Sequence, residues 1–324
     1  MKKNSKRVAI IGAGIIGTYL AWKLGELGHK VFVFEKEKEI KDKACSTLVS
    51  ERIKEFIPIS NSLIENKINF CIIHFPKKAI SLKFKPIHYL YNRKKIIKYL
   101  INISKNLGVK FFFNKEIKEI PKDFDKIIGC DGTNSITREK LSLGRPNLRL
   151  GLQLFLNKKD NSDRVEVWPI TPHHFSLKSS EGFFWKIPRG NKIEYGAIGS
   201  QKFLVNQFEK FCENQKIHFN KKELKLALIP NGLVLPDDKN TTLCGEAAGL
   251  SKLWSGGGII WGLIASQILI KNFQDFRRYK KEVFKNFRFK ILRAKIAIPL
   301  VYFFGYNFPY IFPREILFDN DFLS

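Results

Sequence analysis

Gly12, Gly14 and Gly17 stand in Val8-Ala9-Ile10-Ile11-Gly12-Ala13-Gly14-Ile15-Ile16-Gly17, and Glu35 follows 18 residues after the third glycine. These residue types at this spacing suit a phosphate grip. Gly12 permits a tight turn, Gly14 lets bare backbone approach a pyrophosphate, and Gly17 lets a helix lie close on a strand. Ala13 and Ile16 fall inside the same grip. Glu35, with Lys36 beside it, stands where a carboxylate accepts hydrogen bonds from ribose hydroxyls. Its negative charge disfavours a 2′-phosphate, so the adenosine expected here belongs to FAD or NAD rather than NADP.

Further along, Lys126-Ile127-Ile128-Gly129-Cys130-Asp131-Gly132 is an apolar run ending in a polar turn, with Ser135 and Arg138 following. The carboxyl end of a buried parallel strand is where an open α/β sheet binds its ligand. Taken alone, Asp131-Gly132 also fits an ordinary turn. Gly245-Glu246 and Gly256-Gly257-Gly258-Ile259 form a third group. The triple glycine opens an apolar helix, so backbone N–H groups and the positive end of the helix dipole face outward there. Such an end beside the N1–C2=O edge of a flavin favours its reduced, anionic form; close packing is the alternative use of the glycines. Arg93 opens another helix, with Ile96, Ile97, Leu100, Ile103 and Leu107 at helical spacing and Gly108 as its stop.

These residues need elements to hold them. Val8–Ile11 and Val31–Phe34 read as strands flanking a helix from Ile15 to about Leu27, with Gly28 as its C-terminal stop. A second helix is expected after Arg52. Asn69–Phe75 and Ala79–Phe84 read as a hairpin, and Val109–Phe113 as the next strand. From Leu150 to Gly199 the chain changes to short alternating strands, at Leu152–Leu156, Val165–Trp168, His174–Leu177, Gly182–Ile187 and Lys192–Ile198. That pattern predicts an antiparallel sheet inserted in the first domain, followed by a helix over Lys202–Lys216 and an apolar helix from Ile259 to about Ile270. Residues 271–295 carry ten Lys/Arg against two acids, with Phe273, Phe276, Val283, Phe284, Phe287 and Ile291 at helical spacing. Residues 296–313 are uncharged but contain Pro299, Pro309 and Pro313, too short and broken for a spanning helix. This tail suits an anionic bilayer surface or, the preferred reading, a helical cap on the two domains.

Composition narrows the classes. A chain of 324 residues supports two domains, and 44% hydrophobic residues place it among globular proteins. The net charge of +27 points to nucleic acid, an anionic membrane or phosphate-bearing ligands, or only to lysines on solvated faces. No nucleic-acid motif accompanies it, so nucleic acid is set aside. Cys45, Cys71, Cys130, Cys212 and Cys244 are odd in number and form no CxxC, which argues against a disulfide framework or a metal site and for a reducing cytoplasm. Met1-Lys2-Lys3 before an apolar run imitates a signal peptide, but the glycines interrupt that run, so targeting is rejected.

Three stretches together resemble the flavoprotein group that includes aromatic hydroxylases and geranylgeranyl reductases. The first glycine motif with Glu35 resembles its FAD-adenosine site, Ile128–Ser135 its Asp-Gly motif, and Gly245–Ile259 its flavin-facing motif. Within the group the chain most resembles the geranylgeranyl reductase family. Cys45-Ser46-Thr47-Leu48-Val49-Ser50 is similar to that family's Cys-Ser-Gly-Leu-Ile-Ser segment. Phe183-Phe184-Trp185-Lys186-Ile187-Pro188 is similar to its Tyr-x-Trp-x-Phe-Pro motif. Arg93 stands where the family sets an Arg against FAD. Glu246 replaces an Asp, Thr47 replaces a Gly, and Leu253-Trp254 replace Pro and Thr.

The resemblance implies a discontinuous Rossmann-like FAD-binding domain (1–68, 86–149 and 236–272), an antiparallel-sheet substrate domain (69–85 and 150–235), and a basic, aromatic helical tail (273–324). It implies FAD held by Gly12, Ala13, Gly14, Ile16, Gly17, Glu35, Lys36, Arg93, Asp131, Gly132, Gly245, Glu246, Gly256, Gly257, Gly258 and Ile259. NAD(P)H or a ferredoxin-like protein is the implied electron donor. Hydride then passes to a C=C bond of an isoprenoid or other apolar or lipid substrate. Such chemistry wants a dry pocket, with Trp185 as a wall; Cys45 is a candidate proton donor or, the preferred reading, a small packing residue. A flavin monooxygenase or halogenase is the alternative, since Phe183–Pro188 also resembles the halogenase Trp-x-Trp-x-Ile-Pro, although no halogenase-type lysine is assignable. A FAD-bound protein of the membrane surface without turnover is a third reading. The expected location is cytoplasmic, with peripheral contact to the inner membrane face.

Overall fold

In the computed structural model, residues 5–41, 43–170 and 182–318 are described. In chain order the elements are β1 (Arg7–Ile11), α1 (Ile15–Glu26), β2 (Lys30–Phe34), β3 (Leu48–Ser50), β4 (Ile64–Phe75), β5 (Lys78–Tyr91), α2 (Arg93–Lys105), β6 (Lys110–Phe112) and β7 (Lys126–Gly129). Next come α3 (Ile136–Lys140), β8 (Asn147–Leu156), β9 (Arg164–Pro169), β10 (Gly182–Pro188), β11 (Ile193–Gly199) and α4 (Leu204–Asn214). The chain continues with β12 (Lys225–Asn231), β13 (Thr241–Leu243), α5 (Ile259–Lys271), α6 (Phe276–Asn307) and β14 (Glu315–Phe318). The expected strand at His174–Leu177 lies outside the described residues.

Among the described residues the first sheet is parallel throughout, in the order β13-β7-β1-β2-β6. Its central strand, β1, is buried on both faces, which is why its sequence is continuously apolar. Val8 and Ile10 pack into the large core with residues of α1, α2 and α5. Ala9 and Ile11 face Ile117, Ile120 and Phe124 on the other side, where an irregular segment takes the place of a helix. Lys126 opens β7 in burial, and its ammonium donates to Lys239 O, Asn240 Oδ1 and Gln274 O.

The second sheet runs β12-β8-β11-β10-β9-β4-β5-β14, with β3 also paired to β5. It is mostly antiparallel; β4–β9 and β5–β14 are its parallel pairs. Alternation sends Leu152, Leu154, Ala197 and Phe184 to the side covered by α4. Gly151, Gln153, Gly196 and Trp185 alternate with them, so they share the opposite, inward face.

Several expectations are revised. After Arg52 the chain forms a short 3-10 turn over Glu51–Glu55 in place of an α-helix. The hairpin extends well beyond Asn69–Phe84, because β4 and β5 continue pairing to Ile64 and Tyr91. Leu107 is exposed just past the end of α2. The tail is one continuous 32-residue helix through Pro299. Its burial against the core offsets the missing hydrogen bond that made a break expected there. No helix among the described residues is long and apolar enough to cross a membrane.

Candidate functional site

The turn after β1 is built by exclusion. Gly12 has φ +102°, and a Cβ there would fall 2.5 Å from the Cys130 carbonyl oxygen. A Cβ at Gly17 would overlap the Gly12 carbonyl. Gly14 differs, for a Cβ there meets only Arg93 Nη2, at 3.8 Å. Protein packing therefore demands Gly12 and Gly17, while the space in front of Gly14 is open and faced by a guanidinium. Gly14 is also the N-cap of α1, with no side-chain cap and no acid in the first turn. First-turn N–H groups left this way form an anion site together with the helix dipole.

Glu35 closes the opposite side of the turn. Its Oε2 accepts the Ala13 N–H at 2.9 Å and its Oε1 the Glu37 N–H at 3.0 Å. Each oxygen keeps a lone pair for a hydroxyl donor. Lys36 is exposed beside it. Ile16 points away from the grip and packs against Gly245 and Gly262, where a Cβ would come within 3.1 and 2.6 Å of its side chain.

The Asp-Gly turn lies directly below. Asp131 Oδ2 accepts from the Thr137 N–H at 3.0 Å and the Thr137 hydroxyl at 3.1 Å. Its Oδ1 is buried and accepts no hydrogen bond among the described residues. A buried carboxylate oxygen without a donor is costly, so this atom asks for one from outside the chain. Gly132 (φ +80°) and Thr133 face Glu246, whose Oε2 lies 3.8 Å from a Cβ placed at Gly132. The Glu246 side chain in turn lies 3.9 Å from a Cβ placed at Gly258. Arg138 locks the two loops together, donating to Thr133 O at 2.6 Å and Ala247 O at 3.0 Å. Burial lowers its pKa, against the pull of Asp131.

The glycine loop folds into a turn, with Lys252 N–H to Gly257 O and Gly256 N–H to Lys252 O, each at 3.0 Å. Gly256 (φ +68°) presses on Ile198 and Ile229 of the inward sheet face, and Gly257 is exposed. Gly258 is the N-cap of α5, again without a side-chain cap, and Ile259 is the first helical residue. Thus a second uncapped helix start stands near Glu246.

A cleft that shares Arg93 with the Gly14 turn is lined by Cys45, Thr47, Tyr91 and Arg93 on one side and by Gln153, Phe155, Lys192 and Lys225 on the sheet side. The Tyr91 hydroxyl and Gln153 Nε2 are both buried there without a partner among the described residues. Burial pushes the Tyr91 phenol well up, so it is a neutral donor. Thr47 holds φ +52°, a left-handed conformation that a β-branched residue seldom adopts. The Gly of the resembled motif is thus a conformational requirement that this chain meets under strain. Cys45 is half-buried, with a free thiol.

Trp185 is half-buried on the inward sheet face that also carries Gln153. It packs next to Phe183, which touches Trp254 at a centroid distance of 4.8 Å. Its indole lies across Gly196, where any Cβ would overlap it. Trp185 Nε1 donates to buried Glu194 at 3.1 Å, and Arg189 Nε donates to the same carboxylate at 2.7 Å. Arg189 also reaches Glu65 and the Ser46 carbonyl, so this network ties Trp185 to the Cys45–Thr47 loop. The cleft is consequently polar and basic near Cys45. Sequence reasoning missed Tyr91 and Gln153; a lone amide within Leu150-Gly151-Leu152-Gln153-Leu154-Phe155 was the available signal.

Residues 7–59 match the family model described as pyridine nucleotide-disulphide oxidoreductase. Over its length the chain is similar to a digeranylgeranylglycerophospholipid reductase of Methanococcus vannielii, 22% identical and covering 86% of this chain and 80% of the relative. Its fold matches a geranylgeranyl bacteriochlorophyll reductase-like protein of Thermoplasma acidophilum with a TM-score of 0.72, at 20% identity and covering 92% and 87% of the two chains. It also matches a flavin-dependent brominase with a TM-score of 0.71, at 12% identity and covering 95% and 89%. The chain thus has the fold of the FAD-dependent reductases, hydroxylases and halogenases, a parallel nucleotide-binding sheet joined to a large antiparallel one, and is similar in sequence to their geranylgeranyl reductase branch.

Proposed function

We propose that this flavin-dependent oxidoreductase is a reductase that saturates a C=C bond of an isoprenoid or comparable apolar substrate. The observation that carries the flavin part is Asp131 Oδ1, buried without a donor where the first glycine turn, the Glu246 loop and the Gly256–Gly258 loop converge. The residues fit FAD. The open space before Gly14, with Arg93 and the uncapped start of α1, takes the pyrophosphate, and Glu35 takes the adenosine ribose. Asp131 and Glu246 accept from the ribityl hydroxyls, and the uncapped start of α5 faces the ring. FAD supplies the hydride when it is reduced. Tyr91 and Gln153 donate to acceptors along the cleft, Trp185 shares the sheet face of Gln153, and Cys45 holds a thiol from which a proton reaches the second carbon. NAD(P)H or a ferredoxin-like protein provides the electrons, and the charge of +27 favours an anionic donor of either kind.

The deciding experiment incubates the purified, flavin-loaded protein with a reductant and a prenyl-chain lipid under nitrogen and under air. Saturated product formed without oxygen supports the reductase. The brominase-like fold and the Trp185–Pro188 segment favour one other reading, a monooxygenase or halogenase; product that requires oxygen would establish it instead.

A further inference from the structure

We propose that the outward face of α6, continued by Phe308–Ile311, is a docking surface for an anionic lipid bilayer. The helix has two apolar stripes. Phe287, Ala294, Ile298 and Tyr302 are buried and fix it to the body, Tyr302 donating to Gly182 O at 2.6 Å. At about 100° per residue, Phe289, Leu292, Ile296, Leu300 and Phe304 fall along the opposite face. They are exposed, with Phe289 at 69% and Ile296 at 59% relative accessibility. Beyond the helix, Phe308 and Tyr310 extend the same exposure, at 53% and 74%. A contiguous apolar surface of this kind on a folded body marks an interaction site.

Charge selects the occupant. α6 contains nine Lys/Arg and one acid, Glu282, and no carboxylate occurs from there to Glu315. Lys285, Arg288 and Lys295 are exposed beside the apolar stripe. A second copy of this face would bring no carboxylate to meet them, whereas anionic headgroups would, at about 1 kcal/mol per cation near the surface. The helix is too polar to span a membrane, so it lies in the plane of the interface with its apolar stripe among the acyl chains. Trp254 Nε1 donates to Tyr302 at 3.3 Å, so the docked helix directly contacts the Trp254–Phe183–Trp185 row.

The test is flotation of the full chain with equimolar phosphatidylglycerol and phosphatidylcholine vesicles and with pure phosphatidylcholine vesicles. Flotation is expected with the first and is expected to fall about fivefold for each cation neutralised in Lys285→Gln and Arg288→Gln. The double variant Phe289→Ser/Ile296→Ser is expected to lose flotation while keeping its helical circular dichroism and bound flavin; those readouts separate this inference from the flavin reading. Equal flotation on both vesicles, no flotation on either, or undiminished flotation of the double variant overturns it. So does a solution dimer that the double variant converts to a monomer, which would assign the face to a second copy.

Discussion

Gly14 and Gly17 belong to one motif but answer to different forces. Gly17→Ala drives a methyl into the Gly12 carbonyl, so a loss of about 1–3 kcal/mol in denaturant unfolding is expected. Gly14→Val has room within the protein and faces only Arg93. Its unfolding midpoint should stay near wild type, while flavin absorbance after gel filtration should vanish. Retained flavin in Gly14→Val would remove the pyrophosphate from that position. Thr47 is the converse case, a residue in a glycine conformation. Thr47→Gly should raise stability by about 1 kcal/mol by removing left-handed strain, measured by urea unfolding, and it widens the cleft beside Cys45. The glycines and Glu35 were legible because their spacing is local. Tyr91 and Gln153 were not, since a buried hydroxyl or amide reveals its missing partner only once both walls of the cleft are in place.

At the level of elements, the two sheets obey the periodicities written into them. Val8–Ile11 and Ile127–Ile128 are continuously apolar because both faces are covered, and β8 alternates because its leucines pack under α4 while Gly151 and Gln153 face the cleft side. The hairpin ends and β14 escaped sequence reading because edge pairing depends on which strand is delivered alongside. β14 is brought to β5 by the long α6, from more than 200 residues away. The sheet's polar side carries its own titration. Glu166 accepts from His74 at 3.0 Å and from Lys186 at 3.1 Å, and the His74 contact, then Lys186, hold its carboxyl down at about 2. A carboxyl depressed in the folded state contributes stability above its unfolded pKa, and that contribution is lost as pH falls through the folded value. Between about pH 5 and pH 2, wild-type stability should therefore drop more steeply than that of Glu166→Gln, measured by unfolding at each pH; parallel curves would mean the cluster is not linked to folding.

For the whole molecule, charge is the property with the longest reach. A net +27 steers anionic partners, and screening shortens that reach to about 10 Å at 0.1 M salt. Flavin reduction by an anionic donor should slow by roughly tenfold as ionic strength rises toward physiological values, read by stopped-flow bleaching; a salt-independent rate would exclude a steered donor. What the sequence determined by itself is the material of the nucleotide grip, because strand, glycine turn, helix and acid lie within about 30 residues and each acts on its neighbours. It also determined the class of each sheet, through burial periodicity. Only the tertiary structure decided that the Gly132–Thr133 turn, Glu246 and Gly258 meet, that Trp185 shares a sheet face with Gln153, and that α6 buries one apolar stripe and exposes the other. Those outcomes depend on which surfaces remain to be covered after the sheets have joined, a quantity set by distant contacts rather than by any local spacing.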